Sequence, residues 1–388
     1  MPAFDVAVIG LGSTGAAALY HLARRGLSVV GLEQASPGHE GGSSHGESRI
    51  IRMAYFEHPS YVDLVRLAYR NWRDLEQASG RSVITTTGII EAGYPGASLV
   101  RDSLASAIQH DLPHEVLSGR QIRRRFPAFD LPDDWEGVFQ PDGGILAADL
   151  AIRLHVEGAK TAGAEVRTQV AVRATEPTGA AVRLVLADGT AIEAGAVVVA
   201  AGGWIGELVP GLRRHLTLSR QAVCWFTPTQ PALTDPDRFP VFLLDADADP
   251  TTETPADVIY GFPDFAGTGV KAASHLLGRT LASAADARQD GDAEDALRIR
   301  LALERLIPAA AGPVRQVKTC IYTSTPDADL IVDRLAGEPR IVLASACSGH
   351  GFKFASLLGE ILADLATTGA TRHDISRFSL SRFGGGAA

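Results

Sequence analysis

Three sets of residues in this 388-residue chain have types and spacings that could do chemistry. The first is Gly10-Leu-Gly12-Ser-Thr-Gly15, set directly after the strand-like run of residues 5–9. In such a motif the first glycine permits a tight turn, the second lets backbone approach a pyrophosphate, and the third lets helix pack on strand. The phosphate charge then meets a helix N-terminus. Glu33 follows 23 residues after Gly10, close to the spacing of about 20 at which an acid accepts from a ribose hydroxyl. The motif leaves FAD and NAD undecided. The second set is Arg49 and Arg52, whose spacing predicts two guanidiniums on one face of a helical turn, each able to grip a carboxylate with parallel hydrogen bonds. The third is Lys353, between Phe352 and Phe354, whose rings would bury its stem.

The elements that must position these residues are legible as patterns. A strand over 5–9, an Ala/Leu helix and a second strand ending at Glu33 make the opening of a doubly wound unit, which runs to about residue 80 and closes on a helix carrying Val62, Val65, Trp72 and Leu75. Residues 81–145 have a different texture, short β-like runs at 83–87 and 88–91 and a polar helix, and predict a separate sheet. A helix returns at Leu150 with Asp149 as its cap, and the apolar run 196–204 predicts a buried strand ending at the cofactor. Residues 210–319 resume the second texture, with β-like runs at 224–226, 241–244 and 259–262. A last buried strand, 340–346, opens through Cys347-Ser-Gly-His-Gly351 into a helix over about 352–365, whose N-terminus offers positive potential to an anion. The acidic stretch 245–257 predicts an exposed loop.

Composition narrows the function. A net charge of −9 argues against nucleic-acid or anionic-membrane surfaces, and Arg123-Arg124-Arg125 is expected on a solvated helix face. The longest uncharged apolar run, 194–206, is too short for a bilayer, which needs about 20 residues. With no leader-like start and no peroxisomal ending, a cytoplasmic protein is expected. Cys224, Cys320 and Cys347 are odd in number and lack metal-like spacing, so neither a disulfide framework nor a metal site is expected, and thiol chemistry at one of them stays open.

Three longer motifs, His45-Gly-Glu-Ser-Arg-Ile-Ile-Arg52, Lys318-Thr-Cys-Ile-Tyr322 and Ser348-Gly-His-Gly-Phe-Lys-Phe-Ala-Ser356, make the chain resemble the monomeric sarcosine oxidase and N-methyltryptophan oxidase family over nearly its whole length. The resemblance implies FAD, and an α/β fold in which an FAD-binding Rossmann-like domain of the glutathione-reductase type is joined to a mixed-sheet α+β substrate domain. It assigns 1–80, 146–212 and 320–388 to the first and 81–145 and 213–319 to the second, in a monomer.

By the same resemblance, Gly10, Gly12, Gly15, Glu33, His45, Gly349 and Gly351 bind the cofactor, and Cys320 attaches it covalently through the 8α-methyl of the isoalloxazine. Cys347 does not match that position and is expected to pack beneath the glycine turn. Arg52 and Lys353 bind the substrate carboxylate, Tyr322 and Tyr260 shape the pocket, His275 bears on the amine's protonation, Arg49 lies against the flavin ring, and Lys271 activates dioxygen. The acidic stretch makes the 242–260 region longer than in sarcosine oxidase, so a bulkier N-methyl or a cyclic amino acid is an alternative to sarcosine. The chemistry implied is oxidation of the carbon beside a secondary amine to an imine, hydrolysis of the imine, and reduction of dioxygen to hydrogen peroxide. A dehydrogenase passing electrons to another acceptor and a non-catalytic flavin-bound protein are the rival expectations.

Overall fold

A computed structural model describes residues 2–245, 258–275, 278–287, 291 and 293–384. The first sheet has a parallel core in the order Glu165–Thr168, Val29–Glu33, Phe4–Ile9, Ala191–Val199, Glu338–Ser345. Val and Ile dominate these strands because helices cover them, as parallel sheets require. Ala191–Val199 shares one edge between two neighbours: its start pairs antiparallel with Ala181–Leu186, and its end runs parallel to Glu338–Ser345. The split forks the sheet into a small antiparallel meander beside the doubly wound core. Helix Ser13–Arg24 packs against helix Ala355–Thr368 so closely that a Cβ on Gly359 would lie 2.5 Å from Ala17.

The second sheet runs Arg279–Leu281, Thr217–Phe226, Val270–Ser274, Val258–Asp264, Val241–Asp245, Ile89–Gly93, Glu136–Gln140, Glu115–Ser118, with Val314–Ser324 also on Thr217–Phe226. Among the described residues, only Val241–Asp245 and Ile89–Gly93 pair in parallel, so the sheet is mixed as expected. A third, small sheet joins Ser48–Ile51, Gly144–Ala147 and Ile84–Thr86 between the two.

Several local expectations are corrected. The boundary expected at residue 320 falls inside Val314–Ser324, which pairs with Thr217–Phe226 over its length, so Cys320 is carried by the second sheet. Arg49 lies on strand Ser48–Ile51, opposite Leu146, and Arg52 just after it, so the two share no helical turn. The returning helix is Ala148–Thr161 with Ala147 at its N-cap; Asp149 sits in the first turn and accepts instead from the Glu47 backbone N–H. Asp245, placed in an exposed loop, is the buried last residue of Val241–Asp245; residues 246–257 lie outside the described residues. Among the described residues, no helix is long and apolar enough to cross a membrane.

Candidate active site

Gly10 ends strand Phe4–Ile9 with φ +86°, a conformation that disfavours any side chain. A Cβ on Gly15 would lie 1.9 Å from the Gly10 oxygen, so the third glycine is what lets helix Ser13–Arg24 close on the strand. That helix has Gly12 at its N-cap, no side-chain cap and no acid in its first turn. Its uncapped N-terminus faces a cavity of about 480 Å³ whose wall includes Gly10, Gly12, Ser13, Thr14 and Glu33. Glu33 Oε2 accepts from the Leu11 N–H at 2.8 Å and Oε1 from the Ala35 N–H at 2.9 Å. Each oxygen keeps a lone pair for a ribose hydroxyl. A helix N-terminus at one end, an acid at the neighbouring strand end and an open channel beyond suit an extended, anionic dinucleotide.

The same cavity continues between the sheets to Arg49, Arg52, Tyr260, Lys271, His275, Cys320, Tyr322, Gly349, Gly351 and Lys353. Residues from all three sheets and from the turn before helix Ala355–Thr368 thus meet in one space. Of the expected site residues only Gly15 and His45 stand off its wall. Gly15 is buried behind the cradle. His45 lines a second cavity of about 470 Å³ with Lys318 and Thr319. Its Nε2 bonds the Thr319 carbonyl at 2.9 Å, and burial brings its pKa down to about 4. Cys347, expected beneath the turn, lies on the main cavity wall.

The cations differ in how they are held. Arg49 donates to three carbonyls, those of Ser43, His45 and Ser48, at 2.6–2.8 Å, and stands over the Phe352 ring. Lys271, on strand Val270–Ser274 among apolar neighbours, is 3% exposed and donates to Gly46 O, Ser48 O and Ser48 Oγ. Burial, then Arg49, hold its amine well below the usual lysine range. Lys353 donates to His350 O at 2.8 Å and Tyr55 Oη at 3.2 Å, and burial and Arg52 bring it down to about 7. Arg52, expected free for a carboxylate, is ion-paired with Glu57 at 2.8 Å and with Glu91 at 3.2 Å.

Around these stand Tyr260 and Tyr322; burial pushes Tyr260 up to about 12 and Tyr322 well above the usual tyrosine range. Burial lowers His275 to about 4, so its ring is neutral at pH 7. A Cβ on Gly349 would lie 2.7 Å from the Tyr322 ring and 3.0 Å from that of His275, so glycine here lets both rings reach the cavity. Cys320 is 5% exposed, and burial raises its thiol even though Arg49 and Lys271 pull the other way. Sequence reasoning missed Glu57, Glu91, Gln140 and Tyr55. A lone acid in the apolar run Ile89-Ile-Glu-Ala92 was the available signal for Glu91.

Comparison with known proteins fits this geometry. The profile described as FAD dependent oxidoreductase matches residues 5–365. The chain is 36% identical over 383 residues to monomeric sarcosine oxidase of Bacillus sp. (strain NS-129), covering 98% of this chain and 97% of that one. The chain belongs to the monomeric sarcosine oxidase and N-methyltryptophan oxidase family of FAD-dependent oxidoreductases. N-methyl-L-tryptophan oxidase of Yersinia pestis (strain Pestoides F) is likewise 36% identical over 382 residues, covering 98% of this chain and 99% of that one. The open form of NikD, an unusual amino acid oxidase essential for nikkomycin biosynthesis, superposes with a TM-score of 0.86 at 25% identity, covering 97% of both chains. An FAD-dependent oxidoreductase needs the nucleotide end and the reacting end in one channel, and the cavity spans both.

Proposed function

We propose that the protein oxidises N-methyl or other secondary amino acids, giving an imine, which water hydrolyses to the amino acid and formaldehyde when the substrate is N-methylated, and that it passes the electrons to dioxygen to form hydrogen peroxide. The observation that carries this reading is that Arg52 and Lys353, two buried basic side chains, line the same cavity as Tyr260, Tyr322 and His275. When bound, the flavin supplies the two-electron acceptor.

Each remaining part of the chemistry falls to a side chain. Arg52 and Lys353 hold the carboxylate and so fix which C–H bond faces the channel, turning a bimolecular encounter into an oriented one. Neutral His275 can accept a hydrogen bond from the amine, which must be unprotonated to be oxidised. The Tyr260 and Tyr322 side chains shape the space around it. Arg49 is a fixed charge against which negative charge can develop without reorganisation, and the Lys271 amine, held below the usual lysine range, can take up a proton where an anion forms. Cys320 is the residue that would hold the cofactor covalently, through its Sγ. The same reading makes the protein a cytoplasmic monomer.

A peroxide-coupled screen of sarcosine, bulkier N-methyl amino acids, cyclic secondary amino acids and primary amino acids tests the proposal. Turnover confined to secondary amino acids with one peroxide per imine supports it. Substrate bleaching of the flavin without oxygen uptake would instead mark a dehydrogenase.

A further inference from the structure

Glu91 lies on strand Ile89–Gly93, in the interior of the second sheet, and is 0% exposed. It does not line the cavity, whereas Arg52 and Glu57 do. Its Oε1 is 3.2 Å from Arg52 Nη1, and its Oε2 accepts from Gln140 Nε2 at 2.7 Å. Gln140, on the neighbouring strand Glu136–Gln140, turns its own oxygen to the Ala54 N–H at 2.8 Å. Arg52 Nη1 donates to the Ala54 carbonyl at 2.8 Å. These contacts close a ring, Arg52 to Glu91 to Gln140 to Ala54 and back to Arg52, in which Arg52 alone lines the cavity. The guanidinium is further sandwiched by aromatic contacts, its carbon 4.5 Å from the Tyr55 ring centroid and 4.4 Å from that of Phe56.

A substrate carboxylate cannot supply this support, since it has no access to the buried side of the guanidinium. Nor is Glu57 the same kind of partner, because it sits on the cavity wall where a ligand can compete with it. A buried acid with one charged partner is retained at a desolvation cost, and a position with no substrate contact leaves orientation of that partner as its use.

We propose that Glu91 is a positioning residue that, from outside the cavity, fixes the guanidinium of Arg52 in the plane in which it meets the substrate carboxylate. The inference rests on the reading of Arg52 as the carboxylate anchor. Glu91 acts with Gln140, which couples the second sheet to the segment after strand Ser48–Ile51.

The test is a double-mutant cycle in the holoenzyme, reading the Kd of propionate from its perturbation of the flavin absorbance, with KM and kcat measured in parallel. Glu91→Gln is expected to raise the propionate Kd and the amino-acid KM by about tenfold while kcat changes less than about threefold, and to have no further effect in the Arg52→Ala background. Gln140→Met, which removes the second link while keeping volume, is expected to raise the Kd by about threefold, again only when Arg52 is present. Equal losses with and without Arg52, or an unchanged Kd in both single variants, would overturn the positioning role. An Arg52→Ala variant that itself binds propionate normally would overturn the anchor reading, and the positioning role with it.

Discussion

Lys271 Nζ lies 2.7 Å from the carbonyl oxygen of Ser48 and 3.1 Å from its hydroxyl. This contact ties a strand of the second sheet to the short strand Ser48–Ile51, whose next residue, Arg49, also bonds the Ser48 carbonyl. Two basic side chains from different sheets therefore share one carbonyl on the cavity wall. Under the proposed function Lys271 serves the reaction with dioxygen, which is neutral but gives an anion as its first reduction product, and an amine that takes up a proton there would stabilise that anion. Lys271→Met should leave anaerobic flavin reduction within about tenfold of wild type and slow reoxidation by about two orders of magnitude or more. Stopped-flow measurement of both half-reactions decides it, and equal losses in both would reassign Lys271 to structure or substrate binding.

Cys320 lines the cavity on strand Val314–Ser324, and Cys224 does not. Acid precipitation of the wild type should leave a yellow pellet, and Cys320→Ser should release the colour to the supernatant. Colour released from the wild type as well would exclude the covalent bond, and retention in Cys320→Ser would move it to Cys347.

Arg52 and Lys353 should both weaken carboxylate binding when lost, but with different pH dependence. Charge-assisted hydrogen bonds contribute about 1.5–3 kcal/mol each, so Arg52→Ala should cut kcat/KM for amino acids by at least about tenfold. Burial holds Lys353 at about 7, so its positive charge is present below that pH and lost above it. Substrate affinity should fall as pH rises through neutrality in the wild type, and that fall should vanish in Lys353→Met.

How much of this was readable in advance depended on how local the cause was. The glycine cradle and Glu33 are set by backbone geometry within one βαβ unit, and they stand where the motif put them. The spacing of Arg49 and Arg52 misled, because Ser48–Ile51 pairs with Gly144–Ala147, almost a hundred residues away, and the partner makes it a strand. The partners of Arg52 were hidden for a similar reason: Glu57 is near in sequence, but Glu91, and the Gln140 that bonds it, come from two strands of the second sheet. Lys271 showed only an apolar setting, and what holds its amine, Gly46 and Ser48, lies more than two hundred positions upstream.

Four histidines, His45 and His155 buried and His21 and His275 half-buried, make stability depend on pH, and buried His350 shifts the same way. Burial lowers His21, His45 and His275 to about 4 and His155 to about 3, from 6.5. Between pH 6.5 and these values the unfolded chain binds protons that the folded chain does not, so stability is full above 6.5 and is lost as pH falls toward 4. Denaturant midpoints at pH 7.5, 6 and 4.5 should decline in that order, and His155→Phe should flatten the decline. A midpoint constant over this range would show the rings to be protonated in the fold.

The central claim is that one channel brings a secondary amino acid to a bound flavin. Anaerobic titration of the purified yellow protein with the best substrate from the screen tests it most directly, with absorbance and released formaldehyde followed together. One equivalent of an N-methyl amino acid should bleach the flavin fully, yield one equivalent of formaldehyde, and let air restore the colour with one equivalent of peroxide. A flavin that stays oxidised with every secondary amino acid, or bleaches without formaldehyde from N-methyl substrates, would contradict it.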